Sequence, residues 1–523
     1  MRKLFAVLVI LIASCSTTFG QLKSPDQFLG YTIGDRYTPH WRIVEYFKHV
    51  ADNVPSMVKV QEYGKTYEGR PLIVGFISSA ANISNLENIR TNNMSLAHMN
   101  GGAGNISNAP AIVWLSYNVH GNETSSSEAA LMTLWALVDP ANTQTKQWLQ
   151  NTVVIIDPCL NPDGRDRYVN WFTSVVGINP NPNPISREHM EPWPGGRVNH
   201  YHYDLNRDWA WQTQTETRQR ISLYNKWLPQ IHVDFHEQHF NSPYYFAPAA
   251  EPYHEVITSF QRNFQDVIGR NHARYFDKEG WLYFTKERFD LLYPSYGDTY
   301  PTYNGAIGMT YEQAGHSQAG VAVETETGDT LTLRDRAMHH YTTGLSTIEV
   351  SSQNANKLVT EFQKYFDVAV KNGVGDYKSY IIRYTDKDAE RIDALTELLT
   401  RNDIRYGTAK TGSIRGYNYE NGKVEVYNVN ANDIVIPSVQ PKSALVKVLF
   451  EPNTKVVDSN TYDITAWALP YAYGVKAFAT PQKVDIASNT VAKLKANNPA
   501  SDPYGYVIRW NGVQTVRLVS ELL

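Results

Sequence analysis

The sequence predicts an α/β protein with a mixed, largely parallel central sheet flanked by helices, followed by a smaller α/β domain. Short apolar runs without alternation, which are typical of strands covered on both faces, are separated by helical patterns. The predicted strands are APAIVWLSYN (109–118), TVVIIDP (152–158), IHVDFH (231–236) and AIGMTYE (306–312). The predicted helices cover 126–139, 215–228 and 253–276. Strands that alternate with helices favour parallel pairing, because each crossover brings the chain back to the same end of the sheet.

The chain has 523 residues, which is too long for one ordinary core. A long helical region, 331–373, leads into a second unit that begins with a strand–helix–strand pattern over 378–410. Later strands are predicted in DIVIPS, ALVKVLF, YDITAWAL and YGYVIRW. We therefore predict a signal peptide at 1–20, a first domain at 21–350, a helical connector at 351–373 and an accessory domain at 374–523. A packing role or a place at the edge of a substrate site is expected for the accessory domain.

Composition excludes several classes of protein. The net charge is −4, and no block of Lys and Arg occurs, which argues against binding to nucleic acid. Hydrophobic residues make up 42% of the chain, as in globular proteins. No segment after the N-terminus is apolar enough to predict a transmembrane helix.

The N-terminus, MRKLFAVLVILIASCSTTFGQ, has two basic residues and then a run of ten apolar residues. This pattern predicts a secretory signal and therefore an exported protein, periplasmic or extracellular. Alternatively, Ile12-Ala13-Ser14-Cys15 resembles a bacterial lipobox, which would make Cys15 a lipid anchor in the outer membrane. In either case only Cys159 remains, so no intramolecular disulfide is possible.

Polar side chains follow the predicted strands, where an α/β sheet binds its ligands. His120 and Glu123 follow the first strand, and a catalytic zinc ion takes three protein ligands. Alone, the pair could equally belong to a turn or a helix cap. His236 is the candidate for a third ligand, whereas His232 and His239 are better explained as structural histidines.

Five motifs follow one another in a fixed order: NVHGNE, NPDGRDRY, DLNRDW, DFHEQ and GMTYEQAG. In this order they resemble the zinc carboxypeptidase family typified by the pancreatic carboxypeptidases A and B. The resemblance covers about residues 30–345 and leaves 374–523 outside the family's catalytic domain. It implies one Zn²⁺ ion per chain, held by His120, Glu123 and His236.

The resemblance also assigns roles to other residues of these motifs. Asp204 matches the carboxylate that hydrogen-bonds a ligand histidine, although it could instead be a turn residue. Asn206 and Arg207 match the pair that holds the terminal carboxylate of the substrate, with a surface ion pair as the alternative for Arg207. Glu312 matches the general base. Glu324 and Glu326 are nearby carboxylates that fit a solvated loop.

Two further roles transfer less directly. Arg197 is the candidate for stabilising the oxyanion, with Arg187 and Arg165 as alternatives. YPSYGD (293–298) is similar to the stretch that carries the family's mobile tyrosine, and this similarity suggests Tyr293 as a substrate-binding residue. The alternatives are Tyr296, Tyr300 and Tyr303. The specificity stretch offers Tyr300 and no obvious acidic residue, which favours neutral or aromatic substrate side chains.

The function predicted from the sequence is zinc-dependent hydrolysis of the C-terminal peptide bond of peptides or proteins, with Glu312 as general base. An alternative with the same chemistry is a carboxypeptidase that acts on murein peptides with γ-D-glutamyl or diaminopimelate links. A non-catalytic peptide-binding protein would be expected to lack a metal ligand or the base, and this sequence retains all of them.

Overall fold

The computed structural model describes residues 21–458, 460–464, 466–491 and 502–523. The predicted signal peptide at 1–20, including Cys15, lies outside the described residues. Within the described part of the chain, no helix combines the length and the apolar character needed to cross a membrane.

The first region is built on an eight-stranded mixed sheet in the order β1-β2-β4-β3-β5-β10-β6-β8. The four central strands β4, β3, β5 and β10 are parallel to one another, and β1 and β2 extend the sheet antiparallel. The strands of this region are β1 (Val58–Lys65), β2 (Pro71–Ile77), β3 (Ala111–Tyr117), β4 (Thr152–Asp157), β5 (Ile231–His239), β6 (Tyr244–Tyr245), β7 (Ala250–Tyr253), β8 (Tyr283–Phe284), β9 (Asp290–Leu291), β10 (Ile307–Gly315), β11 (Ala322–Glu324) and β12 (Thr330–Thr332). All residues of β3 and β4 are buried, as expected of strands that are covered on both faces.

Helices cover the sheet on both sides. They are α1 (Pro25–Leu29), α2 (His40–Asn53), α3 (Ala80–Ser84), α4 (Leu86–Leu96), α5 (Ser125–Val138), α6 (Thr143–Asn151), α7 (Pro162–Val175), α8 (Thr215–Tyr224), α9 (Ser259–Glu279), α10 (Thr299–Tyr303), α11 (Leu333–Gln353) and α12 (Ala355–Asn372). The helix predicted over 253–276 begins later than expected, at Ser259, because Thr258 and Gln261 form a capping box there. The long helical region predicted at 331–373 is two helices that meet at Asn354.

The second region contains a seven-stranded antiparallel sheet in the order β16-β15-β18-β13-β17-β14-β19. Its strands are β13 (Ser379–Ile382), β14 (Gly407–Ala409), β15 (Gly412–Asn418), β16 (Val424–Val429), β17 (Ile434–Pro437), β18 (Ala477–Thr480) and β19 (Ile486–Ser488). Its helices are α13 (Ala389–Arg401), α14 (Ser443–Phe450), α15 (Leu469–Ala472) and α16 (Val513–Leu522).

Three of the strands predicted in this region are wrong. ALVKVLF lies in α14, where every residue is buried, and a short run that is apolar except for Lys447 has no periodicity that distinguishes a buried helix from a buried strand. Residues 462–464 lie in an irregular segment that precedes α15, and 504–510 form no strand.

The two regions share one apolar core. A single cluster of buried side chains includes Trp114 and Ile155 from the first sheet and Leu395 and Ile436 from the second region. The second region packs against the helices α8, α10 and α12, and its residue Tyr462 reaches the pocket at the strand ends.

Candidate active site

The loop that follows β3 is shaped by Asn118 and Gly121. Asn118 has a left-handed backbone (φ 61°), and its side-chain amide donates to the carbonyl oxygens of His120 at 2.7 Å and Glu123 at 2.9 Å. Asparagine tolerates this conformation better than most residues. A Cβ at Gly121 would lie 2.2 Å from the backbone nitrogen of Arg165, so only glycine fits against the start of α7. These contacts close the loop so that the side chains of His120 and Glu123 converge.

His236 and Glu312 are brought together by strand register. β5 and β10 are parallel neighbours, and His236 is the register partner of Glu312. Neighbouring strands lie about 4.8 Å apart, and paired residues project from the same face of the sheet. Both side chains line the pocket that also contains His120 and Glu123.

Three ligand atoms converge in this pocket. His120 Nδ1 lies 2.8 Å from Glu123 Oε1, His236 Nδ1 lies 3.2 Å from Glu123 Oε2, and the two Nδ1 atoms are 3.2 Å apart. All three residues are buried, and this is the one group of metal-binding side chains found among the described residues. Ligands around a tetrahedral zinc ion are separated by about 3.3 Å. The donor set therefore fits zinc in both chemistry and spacing.

A carboxylate lies behind each imidazole. Asp204 Oδ1 is 3.0 Å from His120 Nε2, and Asp234 Oδ2 is 2.8 Å from His236 Nε2. The hydrogen bond to Asp204 holds the proton on Nε2 of His120 and leaves the lone pair of its Nδ1 facing the candidate metal position, whereas Asp234 lies at ion-pair distance from His236. Sequence reasoning singled out Asp204 and missed Asp234. The available signal was the spacing, since Asp234 lies two residues before His236 and so on the same face of β5.

Glu123 and Glu312 are buried in the same pocket, but their pKa values shift in opposite directions. Burial alone would raise the pKa of Glu123, but the imidazoles of His120 and His236 outweigh it and hold this pKa well below its usual range. Burial raises the pKa of Glu312 to about 8, with the imidazole of His236 opposing part of the rise. Glu123 is thus a permanent anion, whereas Glu312 can exchange a proton near neutral pH.

Of the three arginines considered for the oxyanion, Arg197 is the one beside the ligand cluster. Its Nη2 lies 2.9 Å from Asp204 Oδ2, and its Nη1 lies 3.3 Å from Glu123 Oε1. Arg165 is fully buried behind the loop and pairs with Glu128 at 2.7 Å. Arg187 is exposed on a short 3-10 turn.

Asn206 and Arg207 form part of the pocket wall. Asn206 Oδ1 accepts a hydrogen bond of 2.8 Å from the backbone of Gly297, and Asn206 Nδ2 lies 3.2 Å from His236 Nε2. Asn206 thus holds the 293–298 loop close to His236, a candidate metal ligand. The guanidinium of Arg207 lies over the ring of Tyr296 at 4.7 Å, within the range of a cation–π contact.

The tyrosine beside Arg207 is Tyr296, which lines the pocket. The hydroxyl of Tyr293 accepts a hydrogen bond of 2.6 Å from Trp211 Nε1, and its side chain does not line the pocket. Tyr300 and Tyr303 are fully buried. Sequence reasoning preferred Tyr293 because YPSYGD is similar to the family's tyrosine stretch, and a substrate-binding role for Tyr293 stays a prediction. Which tyrosine faces the pocket depends on the path of the loop.

Asp298 is a pocket residue that sequence reasoning missed. Its side chain is buried, and its Oδ2 accepts a hydrogen bond of 2.9 Å from the hydroxyl of Thr310. Its Oδ1 has no hydrogen-bond partner. Burial raises the pKa of Asp298 to about 7. Asp298 is the last residue of YPSYGD itself, so the expectation of no acidic residue in the specificity stretch that follows this motif stays a prediction.

The remaining candidates lie outside the ligand cluster. His232 is buried among the rings of Trp114, Trp209 and Tyr224. His239 lines the outer part of the pocket at the exposed end of β5. Glu324 and Glu326 are both exposed near the β11–β12 turn.

The second region also contributes to the pocket. Tyr462 lines it, and its backbone N–H donates to Asp290 Oδ2 at 2.7 Å. The adjacent Asp463 places Oδ2 at 2.9 Å from both Arg207 Nη2 and the hydroxyl of Tyr296. No local pattern in the sequence predicts this contact, because Arg207 and Asp463 are 256 positions apart.

Comparison with known proteins agrees with this geometry. The sequence matches the zinc carboxypeptidase family over residues 43–341, which is more than half of the chain, and the chain belongs to that family. Among solved structures, it is similar to a metallo-carboxypeptidase from Burkholderia cenocepacia (15% identity, 61% of this chain and 70% of that one, TM-score 0.43). It is also similar to the carboxypeptidase A from Helicoverpa armigera (16% identity, 71% and 82% covered, TM-score 0.39). No curated protein gives a significant match.

Proposed function

We propose that this protein is an exported zinc carboxypeptidase that removes C-terminal residues from peptides or proteins, with one zinc ion held by His120, Glu123 and His236. The observation that carries the proposal is the convergence of three ligand atoms beside Glu312 in a pocket that also contains Arg197 and Arg207. The predicted signal sequence supports the exported location.

The metal ligands, Glu312 and Arg197 can each carry out a different part of peptide hydrolysis. A zinc ion bound at the three ligands would polarise the scissile carbonyl and lower the pKa of a water molecule. Glu312 takes a proton from the attacking water and delivers it to the leaving amine, a role that its raised pKa supports. Arg197 donates to the carbonyl oxygen as negative charge develops there.

The end of the substrate is recognised by Arg207 and Asn206. A guanidinium offers two parallel N–H groups to a carboxylate, and Tyr296 supports its plane from one side. Recognition of a terminal carboxylate restricts cleavage to the last peptide bond of the substrate. Asn206 contributes through its contact with the 293–298 loop, which keeps that wall of the pocket close to His236.

The proposal is tested with matched pairs of peptides that differ only in a free or amidated C-terminus. Purified protein should release the last residue from the free peptides alone, should lose this activity with a chelator, and should regain it when zinc is added. Chelator-insensitive cleavage, or equal cleavage of the amidated peptides, would refute the proposal. Purified murein peptides, digested in parallel, distinguish the cell-wall alternative.

A further inference from the structure

Asp463 is bound to the edge of Arg207 that a terminal carboxylate would use. Both Nε and Nη2 of Arg207 lie 2.9 Å from Asp463 Oδ2. These two donors form an edge of the guanidinium that can donate two parallel hydrogen bonds to a carboxylate. The hydroxyl of Tyr296 donates to the same oxygen at 2.9 Å. An acidic side chain of the second region therefore presents a carboxylate to the proposed carboxylate-binding group.

This contact is not needed to hold Arg207 in place. Arg207 already lies over the ring of Tyr296, and its Nη1 is 3.7 Å from Asp204 Oδ2. Among the described residues, the carboxylate of Asp463 makes hydrogen bonds and ion pairs only with Arg207 and Tyr296, and its side chain is 34% exposed. Asp463 can therefore leave without disturbing the ligand cluster.

The anchor of the segment that carries Asp463 is the preceding residue. Tyr462 donates its backbone N–H to Asp290, and its ring contacts that of Phe289 at a centroid distance of 5.4 Å. A rotation of the Asp463 side chain alone would free Arg207 while Tyr462 keeps its place in the pocket wall.

We propose that Asp463 is an internal competitor of the substrate: it occupies the carboxylate-binding edge of Arg207 in the free enzyme and is displaced by the terminal carboxylate of a peptide. This inference rests on the proposed function of Arg207. A partly exposed ion pair is weak, so the competition lowers affinity without closing the site. Asp463 thereby sets the substrate concentration at which the enzyme works and leaves the chemical step unchanged.

The kinetic test compares the wild type with Asp463→Asn and Asp463→Ala, the second of which also removes the hydrogen-bonding group. Both variants should lower KM for peptides with a free C-terminus by about twofold to tenfold, with kcat unchanged. The matched control is Asp458→Asn, in the same segment, because within the described part of the chain Asp458 forms no hydrogen bond or ion pair with Arg197 or Arg207. If Asp463 instead positions Arg207, KM will rise in both variants, and that result, or an unchanged KM, overturns the proposal.

A binding measurement separates failure of this inference from failure of the proposed function. Zinc-loaded Glu312→Gln protein, with and without Asp463→Asn, is titrated with one peptide in its free and amidated forms. The free form should bind about twofold to tenfold more tightly when Asp463 is replaced, and the amidated form should not. This difference would support competition between Asp463 and the terminal carboxylate even if the wild type proved to lack peptidase activity. Equal affinity in the two proteins would overturn the competitor whatever the activity of the wild type.

Discussion

Glu123 and Glu312 are two buried carboxylates in one pocket, and their surroundings fit them for different tasks. Glu123 lies between two imidazoles and accepts a hydrogen bond of 2.8 Å from the backbone N–H of Glu237, so its negative charge is well compensated. Glu312 has no hydrogen-bonding partner of this kind for its carboxylate among the described residues, and burial therefore dominates its pKa. Two carboxylates with divergent proton affinities are typical of a ligand and a base side by side.

We expect Glu312→Gln to reduce kcat by about a hundredfold to ten-thousandfold, since the amide retains the shape of the side chain and cannot accept the proton. Zinc content, measured by elemental analysis, should stay at one ion per chain. Glu326→Gln, in the exposed β11–β12 turn, is the matched control and should behave as wild type. A Glu312→Gln protein with full activity would contradict the assignment of the base.

At the residue scale, sequence reasoning reached the groups that follow predicted strands in recognisable motifs. His120, Glu123, His236, Asp204 and Glu312 all lie in or beside one pocket of the structure. The residues it missed depend on information that spacing does not carry. Tyr296 and Asp298 line the pocket and Tyr293 does not. This arrangement depends on the path of an irregular loop, which a periodic sequence pattern cannot predict.

At the scale of elements, the strands that position the site were predictable and several in the second region were not. β3 and β4 are mostly apolar, and β5 and β10 are buried along almost their whole length, so all four strands could be predicted from short apolar runs in the sequence. The eight residues of α14 are also all buried and mostly apolar, and only tertiary packing decides that they form a helix.

The end of α13 joins the two regions through one buried side chain. Asn402 Oδ1 accepts a hydrogen bond of 2.8 Å from the hydroxyl of Tyr300, which lies in α10 directly after the 293–298 loop. Asn402 Nδ2 donates to the carbonyl of Ala210 at 3.1 Å. Asn402→Ala leaves both partners unsatisfied in a dry interior, and we expect it to lower the free energy of unfolding by about 2 to 3 kcal/mol.

A double-mutant cycle isolates this contact. Denaturant unfolding of Asn402→Ala, Tyr300→Phe and the double variant should show a coupling of about 1 kcal/mol, because Tyr300→Phe removes the same hydroxyl. Additive effects of the two substitutions would show that the hydrogen bond does not stabilise the junction.

At the scale of the whole molecule, the second region completes both the core and the pocket. Its side chains belong to the same apolar cluster as the first sheet, and Tyr462 and Asp463 reach the mouth of the site. Sequence motifs identified the first region alone, because a contact between segments some 250 positions apart leaves no local trace. The two regions are consecutive along the chain, but their buried side chains form one common core.

A shared core should unfold as one unit. Leu399 is fully buried in the common cluster, and Leu399→Ala should destabilise the protein by about 2 to 5 kcal/mol. Because the cluster spans both regions, we expect a single calorimetric transition whose midpoint falls in the variant, with loss of zinc from His120, Glu123 and His236 at the same temperature. Val424→Ala, at a residue of β16 in the second region that is 57% exposed, is the matched control and should leave the midpoint nearly unchanged. Two resolved transitions, with zinc retained through the first, would instead show that residues 374–523 unfold independently of the site they help to enclose.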